Sequence, residues 1–110
     1  MTVPALLRSF QQVLDAEPVG LELPRLAHRL AKRIDPVVSG RTVLPVSLLT
    51  VEHYQAHQDR VGRARYHLQA FGLDLLPVTS RAGQDVVLYV HRPHARDEPQ
   101  DVAALVGAAS

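Results

Sequence analysis

DRVGRARYHLQAFGLDLLPVTSRAGQDVVLYVHR, residues Asp59 to Arg92, holds two periodicities side by side. In its first third, Val61, Ala64, Leu68 and Phe71 recur at spacings of three, four and three, which predicts one amphipathic helix. Asp59 suits the N-cap, where a side-chain oxygen can accept from a free backbone amide. Gly72 suits the C′ position, where glycine adopts the left-handed conformation at little steric cost. Beyond Gly72 the pattern changes. Leu73 to Thr79 and Val86 to His91 are short apolar runs rich in β-branched residues, separated by polar Ser80 to Asp85. That predicts a hairpin with a polar tip. Both parities of the hairpin carry apolar groups: Leu73, Leu75, Val86, Leu88 and Val90 on one, Leu76, Val78, Val87 and Tyr89 on the other. A sheet buried on one face alone alternates more cleanly, so a second cover is expected, either the C-terminal segment or a second copy. Pro77 cannot donate to a ladder and points to an edge or a bulge.

The residues Val61, Ala64, Leu68, Gly72 and Leu73, followed by this hairpin, resemble the recognition helix and wing of bacterial winged-helix DNA-binding proteins. Upstream, Leu44-Pro45 resembles the strand-to-helix junction of several regulators in that class. The resemblance covers roughly Arg41 to Arg92. It implies a fold that is mainly α with a small β-hairpin or three-stranded sheet, arranged as a winged helix-turn-helix. It also implies a basic wing tip, here Arg81, that enters a minor groove or touches phosphate.

At about 100° per residue, Arg60, Arg63 and His67 fall on the sector beside the apolar stripe, with Tyr66 and Gly62 further round. Arginine can pair bidentately with the major-groove edge of guanine. Gly62 costs a helix ~1 kcal/mol against alanine and needs a reason, either close approach of DNA or close packing of another helix. Gln58 would flank the start of this helix, where amide groups commonly bond phosphates or base edges.

Working upstream, Val46 to Tyr54 reads as a helix capped by Ser47 or Thr50, with Leu48 and Leu49 buried, and Arg41 to Leu44 as a short strand. Gln55 to Gln58 is the ambiguous point. Either the chain turns there, giving a helix-turn-helix, or one helix runs from Thr50 to Phe71. The continuous helix would place Gln58 and Arg65 in an apolar seam, which disfavours it. Leu23 to Ile34 is a helix with Pro24 in its first turn and Leu26, Ala27, Leu30 and Ile34 inward. Arg25, Arg29, Lys32 and Arg33 share its other surface, either as a solvated face or along a phosphate backbone. Val3 to Ala16 is a further helix, striped by Leu6, Leu7, Phe10, Val13 and Leu14. In the winged-helix resemblance such an extension is a dimerisation element. The domain expectation is 1–92 for the winged-helix body and 93–110 for a linker with a short C-terminal helix or tail.

At 110 residues the chain is one domain with a core that needs no staple. Cysteine is absent, which excludes disulfides and thiolate chemistry and fits a cytoplasmic protein. No apolar run approaches the ~20 residues of a membrane span. The net charge is only +1, but Asp97, Glu98 and Asp101 all follow the last arginine, and setting these three acids aside leaves a body near +4. No nucleophile elbow, phosphate loop or dinucleotide fingerprint occurs, so no enzyme and no cofactor is expected. His53 and His57 lie four apart but lack the glutamate of the metalloprotease motif, and no metal site is expected.

The expected function is binding of double-stranded DNA as a homodimeric, sequence-specific transcriptional regulator. Its contacts would be Arg60, Arg63, Tyr66, His67, Gln58, Arg81, Arg41 and Arg29, with Arg25 and Lys32 on phosphates. Two rival expectations are a protein-interaction module without DNA reading, and a helical dimer built on a continuous rod.

Overall fold

The computed structural model describes residues 8, 10–14, 22–38, 42–98, 100–101 and 104. Helix α1 spans Glu22–Ile34 and strand β1 spans Val43–Thr50. Helices α2, Val51–Ala56, and α3, Gln58–Gln69, follow. Strands β2, Asp74–Thr79, and β3, Asp85–His91, come next. All strand pairings are antiparallel, in the order β1-β3-β2.

The core lies on one face of this sheet. Leu49 of β1, Leu75 of β2, and Val86, Leu88 and Val90 of β3 are all buried there. Against them pack Ala27, Leu30, Ala31 and Ile34 of α1, and Val61, Ala64 and Leu68 of α3. Phe10, Val13 and Leu14, from the helical segment 10–14, complete the same cluster. The opposite parity of the sheet carries Leu48, Leu76, Val78, Val87 and Tyr89. These are half-buried, except Leu48, which is 65% exposed.

These elements overturn the expected mainly helical winged helix-turn-helix. The helix expected over Val46–Tyr54 is largely strand, because β1 runs eight residues and pairs with β3 along its length. Val43, Val46 and Thr50 are β-branched, and every backbone group opposite β3 gains a partner that a short helix would not provide. Pro45 is tolerated because β1 is an edge strand and its register shifts between Pro45 and Ser47. Leu48, expected inside, pairs with Val87 on the outer parity, while Leu49 turns into the core. The would-be first helix of the pair is α2, six residues long and with no buried residue. What remains is an α+β arrangement, with helices on one face of an antiparallel sheet.

The ambiguous segment resolves to a break of one residue. His57 alone leaves helical geometry, at φ −118° and ψ 30°, between α2 and α3. Its Nδ1 lies 2.9 Å from the His53 carbonyl, and Gln58 Nε2 donates to the Tyr54 carbonyl at 2.9 Å. Side chains therefore bond carbonyls at the end of α2 in place of a continued helix ladder. Thr50 caps α2, its Oγ1 accepting from the His53 amide at 3.1 Å. At the other end of α3, Gly72 adopts φ +76°. The Leu73 amide then donates to the Leu68 carbonyl, and the Gly72 amide to Gln69, a Schellman-type close.

Candidate nucleic-acid interface

Helix α3 lies with Val61, Ala64 and Leu68 against the core, so its other positions are set by helical period. Gly62, Arg63 and Tyr66 are exposed, Tyr66 at 64%. A Cβ built at Gly62 would meet nothing within 4 Å. Among the described residues the glycine therefore answers no packing need.

Helix α1 packs beside α3. Pro24, Arg25, His28, Arg29 and Lys32 line an open furrow along α1. At its margin the His28 ring meets His67 of α3 edge to face, with centroids 5.7 Å apart, and Phe71 at 5.7 Å. His67 in turn stands edge-on to Tyr66 at 5.4 Å. Burial, then the His28 ring and the Arg63 charge, hold His67 below the usual imidazole range. Its Nε2 is buried and finds no hydrogen-bond partner among the described residues.

The ion pairs between described residues lie elsewhere, at Arg65–Asp74 and Arg92–Asp35. Arg65 grips Asp74 through two nitrogens, at 2.6 and 3.1 Å, and that hydrogen-bonded carboxylate raises its guanidinium further above its ordinary value. Arg25, Arg29, Lys32 and Arg63 form no such pair with a described carboxylate. They are four charges on adjoining helices with no ion pair among the described residues.

The residues expected from sequence scatter relative to this surface. Arg63, Tyr66 and His67 share it, and Arg29 lies in the furrow. Arg60 does not: its Nη1 donates to the Leu14 carbonyl at 2.6 Å and its Nε is buried, so the side chain braces the N-terminal helical segment. Gln58 is committed to the Tyr54 carbonyl. Arg81 is exposed on the hairpin tip, whose neighbour is the start of α2, where the Val51 amide donates to the Gln84 carbonyl at 3.0 Å. Arg41 lies outside the described residues, as do Leu6 and Leu7 and most of the expected C-terminal helix. His28 was not anticipated. A histidine among arginines on an amphipathic helix carries no signal until its neighbour across the interface is known.

His53 and His57 stack at 4.2 Å with their planes 21° apart, the rings face to face. Among the described residues, no group of three or more His, Asp or Glu could hold a metal ion. Nor, among them, is any helix long and apolar enough to cross a membrane. Compared with models of protein families, with curated proteins and with solved structures, the chain matches none.

Proposed function

We propose that the chain binds double-stranded DNA, with the exposed side of α3 toward the major groove and α1 along a phosphate backbone. In this reading it acts in the cytoplasm as a homodimeric, sequence-reading regulator, and two-fold symmetry would match a palindromic site. One observation carries the reading. Arg25, Arg29 and Lys32 line one furrow of α1 and Arg63 is exposed on α3, none of them in an ion pair with a described carboxylate, and His28 and His67 meet where the two helices adjoin. The net charge of +1 shows that this is a local concentration of positive charge and no property of the chain at large. Arg63, Tyr66 and His67 are the base-edge candidates, because Arg60 and Gln58 are occupied within the fold. Arg81 is left as a phosphate contact from the hairpin tip.

The outer sheet parity favours a second reading. Leu48, Leu76, Val78, Val87 and Tyr89 make an uncharged apolar surface suited to a protein-interaction module.

Binding titrations against salt separate the two. Phosphate contacts give a log–log slope near −0.9 per contact on duplex DNA. Arg29→Ala is expected to weaken all sequences alike and to reduce that slope by about one contact. Arg63→Ala is expected to cost ~1–3 kcal/mol of discrimination between sequences. A flat salt response with weak binding, unchanged by either substitution, would reject DNA binding and leave the interaction module.

A further inference from the structure

We infer that the margin between α1 and α3 is a proton-linked seat for a phosphate group, formed by His28 and His67 with Arg25, Arg29, Lys32 and Arg63 around them. This rests on the DNA-binding reading for its phosphate source, the duplex backbone, and adds a regulation that reading does not contain.

Three features of the geometry support it. First, the two imidazoles bridge the helices that carry the charges, with ring centroids 5.7 Å apart. Second, among the described residues the groups against His67 supply no negative charge: His28 comes from α1, Arg63 and Tyr66 from its own helix, and Phe71 lies against His28. The nearest carboxylate on α3, Asp59, is two turns away toward its N-terminus. Third, His67 Nε2 is buried and makes no hydrogen bond among the described residues, so the imidazole at this margin is left polar and unsatisfied there.

In the free protein burial, then the His28 ring and the Arg63 charge, hold the His67 imidazole below its ordinary value. A phosphate placed among Arg25, Arg29 and Arg63 reverses that balance, because a nearby opposite charge favours the charged imidazole. Binding of the anion then takes up a proton. By linkage, affinity rises as pH falls through the imidazole range.

The experiment uses the full chain and two probes, a short random-sequence duplex and inorganic pyrophosphate, at fixed salt. Between about pH 8 and about pH 5.5, spanning the usual imidazole value near 6.5, affinity for both is expected to rise roughly five- to tenfold. In His28→Gln and His67→Gln most of that rise is expected to disappear. The His67 ring C–H resonances of the unmodified chain should titrate at higher pH once either probe is bound. That readout holds even if a variant folds poorly.

Duplex binding with a pH response equal in wild type and variants, and no shift of the His67 titration, would overturn the seat and leave DNA binding standing. Proton-linked pyrophosphate binding without duplex binding would keep the seat and remove the DNA reading. Failure of both probes at both pH values would end both.

Discussion

Gly62 occupies mid-helix in α3 although an added methyl would touch nothing among the described residues. Glycine there costs about 0.5–1 kcal/mol against alanine, chiefly in backbone entropy. Gly62→Ala is therefore expected to raise stability by roughly that amount in a denaturant melt. If the bare backbone serves close approach of DNA, the same substitution weakens duplex binding. Higher stability with unchanged binding would remove Gly62 from the interface. Sequence alone marked this glycine as a defect wanting a reason. It could not distinguish packing against a neighbouring helix from contact with an outside partner, because both ask for the same missing Cβ. The pair Arg60 and Arg63 shows the same limit. Both lie on one predicted sector, yet Arg60 is drawn inward to the Leu14 carbonyl, 46 residues away in sequence.

The boundary between β1 and α2 is where local pattern and tertiary structure disagree. Val46-Ser47-Leu48-Leu49-Thr50 is short and apolar, and such a run is compatible with either period. Its pairing partner, β3, begins at Asp85 and lies beyond the whole of α2, α3 and β2. No window along the chain contains that information. Adjacent leucines now test the strand. Leu49 is 5% exposed and Leu48 65% exposed, as a period of two requires. Leu49→Ala is expected to destabilise by ~2–4 kcal/mol, and Leu48→Ala by about 0.5 kcal/mol or less, in equilibrium unfolding. Comparable losses at both positions would restore the helix expected there. By contrast α1, α3 and the β2–β3 hairpin were legible: the helices show their period over enough residues, and the hairpin shows two β-branched apolar runs about a polar tip. The hairpin's two apolar parities were legible too; which one faces the core was not.

Arg92 joins parts of the molecule that no local pattern links. Its guanidinium donates to the Phe71 carbonyl at 2.9 Å, the Val38 carbonyl at 3.0 Å, and the Asp35 carbonyl and carboxylate at 3.2 and 2.7 Å. The end of α1, the turn after α3 and the end of β3 are thereby held by one planar fork. Arg92→Ala is expected to cost about 2 kcal/mol or more, since three backbone carbonyls and the Asp35 carboxylate lose a charged donor. Arg92→Lys should recover little, because a single ammonium cannot reproduce the fork. Full stability of the lysine variant in a thermal or denaturant melt would show that charge alone suffices. The same convergence of distant segments builds the candidate interface, where His28 and His67 meet across 39 positions of sequence.

Periodicity and end signals along the chain misassigned Val46 to Thr50, which is strand, but were enough to set α1 and α3 as helices, the β2–β3 segment as a hairpin, and which sides of α1 and α3 carry charge. These are short-range properties, read from residues within a few turns of one another. The extent of β1, the inward commitment of Arg60, the fork at Arg92 and the meeting of two imidazoles between α1 and α3 arose only on folding. Each depends on groups far apart in the chain competing for one space, and such competition is settled by packing and hydrogen-bond geometry in three dimensions.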